Sequence, residues 1–475
     1  MSRGFDRKVQ QKTRQKTQQE RAEAQTQLGY QYYRQGKISK ARDCFAQALS
    51  LRPDHPEAHL NMGVVLTEQG KIDQSIEHFQ AALKLNPNYG AAHSNLGVIL
   101  LKQERLDEAI DCFQKAIDTG IQHADIYYNY GVALAGLMRL DEAIEFYQRS
   151  IELQPQHVDA HFNLSQALLT QGKFARGWQE YEWRWQRQMA EPRNFSQPLW
   201  DGSPLSGRTL LIHAEQGFGD TIQFIRYVNL ITFDRLMFDR IIVECPPTLI
   251  RLLETLDRTV QLIATGDPIP PFDIHAPLLS LPKILNTTLE SIPAQVPYLR
   301  SPSASLPAIL DLDRINIGLK IGIVWASGQL SDHPDSIRMY KSKSCSLKLL
   351  AESLKSESIA LYSLQVGKDA LQFRSQTQIP IVDLSPQIHD FADTAALISN
   401  LDLIITVDTS IGHLAGALAK PVWVLLPFAA DWRWLAKRQD CPWYPTMRLF
   451  RQSFPGDWLS VFEQIRHAIS TEFQP

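Results

Sequence analysis

The chain of 475 residues is long enough for about three domains at roughly 150 residues each, and its 24 glycines and 27 prolines are too few for a low-complexity polymer. With 44% hydrophobic and 21% charged residues it reads as folded, and 48 Lys plus Arg against 51 Asp plus Glu, a formal charge of −3, leave no global positive field for nucleic acid or anionic lipid, only the room for a local basic patch. Cys44, Cys112, Cys245, Cys345 and Cys441 stand far apart with no C-x-x-C pair, so neither a disulfide framework nor a thiolate zinc site is expected, and a reducing cytoplasm fits best.

Residues 1–21 carry Lys, Arg and Gln without an apolar core, and no run of about 18 apolar residues occurs anywhere, so neither a secretory signal nor a membrane span is expected. This basic segment reads as a disordered tail or a frayed-helix lead-in, and no function is assigned to it.

From residue 22 onward the chain repeats itself. An offset of 34 residues superimposes Leu28-Gly29, Met62-Gly63, Leu96-Gly97 and Tyr130-Gly131, then the small column Ala41, Ser75, Ala109 and Ala143. An aromatic column (Phe45, Phe79, Phe113, Tyr147) and a second small column (Ala48, Ala82, Ala116, Ser150) follow, and Pro53, Pro87 and Pro155 close three of the four units. These columns resemble the tetratricopeptide repeat over about residues 22–157. Small residues let helix A and helix B of a unit approach, the aromatic fills the gap between units, and proline ends helix B. The third unit departs, with Glu104 where other turns have Gly36 and Gly70, and Ile121 where proline is expected. Cys44 and Cys112 share one repeat position, which favours a structural role for both.

A fifth unit begins at Val158 and gives way after Gly172 to a segment with Trp178, Tyr181, Trp183 and Trp185. It reads as a capping helix that extends the solenoid to residue 190 and docks it onto the next domain, with an aromatic ligand cage as the alternative. One polar column stands out: Asn61, Asn95, Asn129 and Asn163, with Gln27 in the first unit. Such a ladder resembles the concave face of the O-linked N-acetylglucosamine transferase solenoid, and its amides suit an extended protein or peptide backbone. The competing reading is that each amide bonds neighbouring backbone. The His59, His93 and His161 column, with Tyr127, reads as a half-buried interface rather than a metal site.

After a polar, Pro-containing linker (191–207) the pattern changes to short β-branched runs. Strands are predicted at 208–213, 240–244, 260–263 and 273–276, forming a first lobe over 208–300; a linker at 301–316 leads to strands at 320–325, 359–364, 379–384, 402–407 and 421–426 in a second lobe over 317–475. Strands alternating with helices imply parallel sheets, whose ligands lie beyond the carboxyl ends of the strands. The predicted fold class is therefore α plus α/β, an α-solenoid followed by two Rossmann-like lobes.

Two stretches sit where that chemistry belongs. The first runs from His213 through Glu215, Gly217 and Gly219 to Asp220 and Thr221, a glycine turn opening a helix, where backbone N–H groups can meet an anion. A third glycine of the dinucleotide fingerprint would fall at Ile222, although Glu244 could serve as a ribose acid, and no Walker A sequence occurs. The second runs from Asp402 to Ala417, a strand ending in Asp408-Thr409-Ser410 before a small-residue helix bearing His413; it can hold a pyrophosphate or merely cap its helix.

Together with PPFDIHAPLLSLP, IGIVWAS, SLQVGK, PVWVLLPF, DWRW and PWYPTMRLFRQ, these stretches resemble the repeat-linked branch of glycosyltransferase family 9, over roughly residues 200–470. The resemblance implies a two-lobed GT-B fold and inverting, metal-independent transfer from a nucleotide-sugar co-substrate, with no other cofactor. It further implies Asp220 as general base and Asp408, Thr409, Ser410 and His413 on the donor, beside Gly217 and Gly219. The stretch after IGIVWA is longer and less regular than the family pattern, which leaves Lys343 as the best match for the phosphate-binding cation, and the first lobe is short. Lys368 and Gln365, in the turn after a strand, are further donor candidates, Glu215 is an alternative base, and no metal site is expected, the scattered His and Asp residues lacking ligand spacing. Trp423, Trp432, Trp434 and Trp443 could stack a sugar or base, or fill the core. The leading expectation is a transferase acting on a protein or peptide recruited by the repeats; the alternatives are a repeat scaffold with an inactive transferase domain, and another nucleotide-binding protein.

Overall fold

The structure, a computed structural model, describes residues 2–187, 193–204, 207–233, 240–256, 259–302, 318–328, 334–372 and 379–473. Residues 191, 192, 205 and 206 of the first linker, 303–316 of the second and 329–333 of the irregular stretch lie outside these. The chain forms two compact units, residues 1–164 and 165–475.

The first unit is helical throughout: α1 (Ser2–Arg34), α2 (Ile38–Leu51), α3 (Pro56–Glu68), α4 (Ile72–Leu85), α5 (Gly90–Lys102), α6 (Leu106–Asp118), α7 (Ala124–Gly136) and α8 (Leu140–Leu153), followed by α9 (Val158–Thr170), within which the boundary falls. The repeat columns have a direct steric reading. A Cβ added at Gly29, Gly63, Gly97 or Gly131 would lie 2.6–2.7 Å from the ring of Phe45, Phe79, Phe113 or Tyr147 of the same unit. The aromatic is thus first a knob over its own unit's glycine; it also reaches the next unit, Phe45 packing with Met62, Val65 and Leu66. The second contact is the expected filling of the gap between units, and the first adds the packing within the unit.

The histidine column proves to be a capping device. His59, His93 and His161 each place Nε2 2.8–3.1 Å from the carbonyl oxygen of the proline six residues earlier, Pro53, Pro87 or Pro155. The unit that lacks the proline, at Ile121, also lacks the histidine, at Tyr127. Glu104 and Met138 keep the left-handed turn (φ 62° and 57°) that Gly36, Gly70 and Gly172 adopt without a Cβ.

Of the two readings of the N-terminal segment, a disordered tail or a frayed-helix lead-in, the structure shows helix, with α1 running from Ser2 to Arg34. Its Gln, Lys, Arg and Ala are good helix formers, and the packed repeat helix at its C-terminal end supplies the nucleus from which adding turns costs little.

The second unit contains α10 (Phe174–Tyr181) and two all-parallel sheets. The first sheet comprises β1 (Thr209–His213), β2 (Arg240–Cys245), β3 (Val260–Ala264) and β4 (Ile274–Pro277), in the order β3-β2-β1-β4. The second comprises β5 (Leu319–Val324), β6 (Ile359–Ser363), β7 (Ile381–Asp383), β8 (Leu403–Val407), β9 (Val422–Leu426) and β10 (Met447–Arg451), in the order β10-β9-β8-β5-β6-β7. Every predicted strand is present, and β10 is one more. Strand order reverses at β1/β4 and at β5/β8, and those switch points are where open α/β sheets present a crevice. Trp178, the centre of α10, donates Nε1–H to the Thr287 carbonyl (3.1 Å) and meets Trp432 edge-on at 5.2 Å, so α10 is packed into the second unit.

Candidate functional site

The two strand-turn-helix stretches, almost two hundred residues apart in sequence, meet in space. After β1 the turn enters α11 (Phe218–Phe224), and after β8 the chain enters a helix over Ser410–Ala417. A Cβ on Gly219 would lie 3.0 Å from His413 Cδ2 and 3.5 Å from Ser410 Cα. Gly219 is therefore required for close approach of the two lobes, where a phosphate cradle is expected from the sequence.

Asp220 caps its own helix, accepting the Gly217 N–H at Oδ2 (3.0 Å), while Oδ1 accepts from Arg433 Nη2 at 2.5 Å. Burial lifts its carboxyl above the ordinary value, although the Arg433 guanidinium pulls the other way. Arg433 lies in the short Trp432–Trp434 turn of the second lobe and also reaches Asp431 Oδ1 (2.9 Å) and Gln223 Oε1 (2.9 Å). A general base needs a proton affinity raised from that of a free carboxylate and an oriented lone pair, and Asp220 has both.

On the second lobe, Lys343 Nζ donates to Asp408 Oδ2 at 2.6 Å. Burial alone would depress the ammonium, but Asp408 and Asp431 outweigh it and raise its pKa. The last residue of the helix Pro334–Lys343 is thus brought to the Asp-Thr-Ser motif, as its positional match suggests. No side chain caps the Ser410–Ala417 helix: Thr409 Oγ1 turns to Thr406 Oγ1 (2.9 Å) and Asp408 to Lys343. The capping reading of this motif is not realised, and the first-turn amides face half-exposed Asp408, Thr409 and Ser410.

His413 is buried, stacks on Trp434 at 5.1 Å and lies 3.0 Å from the Tyr444 hydroxyl through Nδ1. Burial pushes its pKa down to about 3, so the ring is neutral at ordinary pH. Gly416 makes room for Tyr444: a Cβ there would lie 2.5 Å from the Tyr444 ring. Tyr298 Oη accepts from Arg226 Nη2 (2.9 Å) and donates to the Ile222 carbonyl (2.9 Å), so its own proton is spent. The Tyr444 hydroxyl also lies 3.4 Å from Tyr298 Oη, so it bridges His413 Nδ1 and Tyr298, and the neutral His413 ring faces Gly219 through Cδ2 and Nε2.

Four expected site residues serve other ends. Gln365 Oε1 accepts the Trp325 and Ala326 amides (3.2 and 3.0 Å) at the end of β5, so its carbonyl satisfies backbone instead of a donor. Lys368 lies 4.9 Å over the Tyr340 ring, beside the Tyr340–Asp369 hydrogen bond. Glu215, the alternative base, is held by both Arg184 nitrogens at 2.9 Å and by the Leu279 N–H at 3.0 Å. Glu244, the candidate ribose acid, is buried against Arg193 at 2.5 Å. Trp423, Trp432, Trp434 and Trp443 are all buried core and offer no open stacking face. Arg433, Asp431 and Tyr444 are the residues that sequence reasoning does not single out, although D-W-R-W and P-W-Y-P both lie within stretches that carry the resemblance.

In the first unit, Asn61, Asn95, Asn129 and Asn163 are all half-exposed. Asn163 donates to the Tyr128 hydroxyl at 3.2 Å, while Asn61, Asn95 and Asn129 make no hydrogen bond to neighbouring backbone among the described residues. Among those residues no three His, Cys, Asp or Glu side chains converge as a metal site, and no helix is long and apolar enough to cross a membrane.

These features define a helical-repeat unit followed by an α/β unit with two parallel sheets. Tetratricopeptide-repeat matches cover residues 26–88, 63–124, 124–157 and 146–179, and a glycosyltransferase family 9 (heptosyltransferase) match covers 341–426. The latter stretch contains Lys343, Gln365, Lys368 and the Asp408–His413 motif, and leaves Asp220 and Arg433 outside it. Protein FlbA of Caulobacter vibrioides is 25% identical over 328 residues, covering 64% of this chain and 53% of FlbA, so the chain spans about half the length of that relative. Among solved structures, MamA from Desulfovibrio magneticus RS-1 is 22% identical (35% of this chain, 92% of MamA, TM-score 0.31). Pseudomonas aeruginosa pilF is 18% identical (46% and 87%, TM-score 0.35).

Proposed function

We propose that the chain is a nucleotide-sugar-dependent glycosyltransferase of GT-B type, inverting and metal-independent, acting on a protein or peptide recruited by the repeats. The observation that carries this reading is the meeting of Asp220 with the Lys343–Asp408 and His413 cluster at the facing helix starts of the two lobes. In the reaction, the acceptor O–H proton passes to Asp220 as its oxygen attacks the anomeric carbon from the face opposite the donor phosphate. The carbon–oxygen bond to phosphate breaks, and the departing nucleoside diphosphate takes the electron pair. Lys343, His413 and the first-turn amides after Thr409 stabilise that charge. Gly217 and Gly219 allow the lobes to close on it, and the Asn61 to Asn163 column holds the acceptor backbone.

The second reading, a scaffold with an inactive domain, draws on one observation: both Asp220 oxygens already accept hydrogen bonds, and Lys343 already has a carboxylate partner. A panel of UDP-, GDP-, ADP- and CMP-sugars separates the two. The transferase reading expects thermal stabilisation and nucleotide release with at least one donor, and Asp220→Asn then lowers turnover by roughly 10²–10⁴ with donor affinity little changed. Absence of release with every donor, with binding alike in wild type and Asp220→Asn, supports the scaffold.

A further inference from the structure

We infer that Arg433 is the positioning residue for Asp220: it fixes the orientation of the carboxylate and sets its proton affinity, tying both to closure of the two lobes. The role of Asp220 as base rests on the transferase reading above; the control that Arg433 exerts on Asp220 does not.

The guanidinium is used on every side. Nη2 holds Asp220 Oδ1 at 2.5 Å and Nε holds Gln223 Oε1 at 2.9 Å, both on α11 of the first lobe. Nη1 holds Asp431 Oδ1 at 2.9 Å, and the guanidinium lies 4.4 Å over the Trp432 ring, both in the second lobe. Its side chain is 8% exposed, against 20% for Asp220, so the cation is the more deeply anchored partner. The planar fork is what permits three acceptors at once; a lysine ammonium, a point charge on a flexible stem, cannot reproduce it.

Asp220 is clamped in turn by one donor from each lobe, Gly217 N–H on Oδ2 and Arg433 on Oδ1. Each carboxylate oxygen accepts two hydrogen bonds, so one direction on each stays open toward an incoming O–H. The other charged and titratable groups facing this pair are Asp431, Asp408, Lys343, Tyr181 and His413. Among them Arg433 is the cation in direct contact with the carboxylate. Separation of the lobes would remove it and leave Asp220 capping its own helix start.

The test is carbodiimide and glycine ethyl ester labelling of carboxyl groups in the full chain. Peptide mass spectrometry follows the pH dependence of labelling at Asp220, with the summed labelling of the other carboxyl-bearing peptides as internal reference. Arg433→Gln should raise the Asp220 titration midpoint by about one pH unit or more, while Arg433→Lys keeps it near wild type without restoring a single orientation. Asp431→Asn removes a neighbouring negative charge and frees Arg433 for Asp220, so it should shift the midpoint the opposite way. With whichever donor sugar the wild type consumes, the acidic limb of the pH–rate profile should move with the labelling midpoint, and Arg433→Lys should lower kcat more than it changes the KM for donor.

Folded Arg433→Gln with an unchanged Asp220 midpoint overturns the inference. If that variant fails to fold, the absence of a downward shift in Asp431→Asn overturns it instead. A wild type that consumes no nucleotide sugar overturns the transferase reading alone, because the labelling midpoints still decide the control by Arg433.

Discussion

Acid should destabilise the second unit, because two of its histidines are buried in the neutral form. His413 and His213 are 5% and 2% exposed, and burial pushes both down to about 3. A group whose folded pKa is depressed contributes stability above its unfolded value of about 6.5, and that stability is lost as pH falls toward the folded value. Between those limits the unfolded chain binds one more proton per histidine, a slope of about 1.4 kcal/mol per pH unit each. At pH 5 the cost is about 2 kcal/mol per histidine and about 4 for the pair, a large part of an ordinary folding free energy. The lower limit near pH 5 matters, since Asp220 and Glu215, whose pKa values are raised, act with the opposite sign once carboxylates begin to protonate. All 10 tryptophans lie between Trp178 and Trp458, so tryptophan fluorescence in urea reports on this unit alone. The unfolding midpoint should fall steadily from pH 7.5 to 5, and His413→Gln, which can still bond Tyr444, should flatten about half of the slope. A fluorescence midpoint independent of pH over that window, or an unchanged slope in His413→Gln, would refute the burial argument.

Three further outcomes follow from the geometry. Glu104→Gly and Met138→Gly relieve left-handed strain in separate turns and should each stabilise the first unit by about 0.5–1 kcal/mol, additively, as read by far-ultraviolet circular dichroism, since that unit has no tryptophan. Asp408→Ala strands the Lys343 ammonium and His413→Ala removes the imidazole, so each should cut stabilisation by a nucleoside diphosphate about tenfold or more; unchanged affinity in both would place the donor elsewhere. Replacing Asn95, Asn129 and Asn163 together by Ala should weaken transfer to a protein acceptor at least about tenfold while donor hydrolysis and Tm stay near wild type, because each amide contributes about 0.5–1.5 kcal/mol along one extended ligand; an unfolded triple variant would make the ladder structural.

What was legible in the sequence, and what was not, divides along one physical line. The 34-residue columns and the β-branched runs report burial, which acts residue by residue, and so the helix pairs and nine strands could be read directly. Met447–Arg451 escaped because a short edge strand interrupted by Arg448 and entered from Pro-Trp-Tyr-Pro, with no α-helix between it and β9, carries no continuous apolar run. Polar residues after strands are harder, because a side chain there has two competing uses. Gln365 and Asp408 look alike in sequence, each just beyond a buried strand. The Trp325 and Ala326 amides at the end of β5 lack a ladder partner and claim Gln365, whereas Asp408 meets a cation. Only the neighbouring strand decides which use wins. The same logic hides Arg433, 213 residues from the aspartate it holds, since nothing local to D-W-R-W shows that its guanidinium faces α11. It also explains why the asparagine column is ambiguous in sequence: the same amide can bond neighbouring backbone or an extended ligand, and at Asn61, Asn95 and Asn129 no hydrogen bond to neighbouring backbone is made among the described residues.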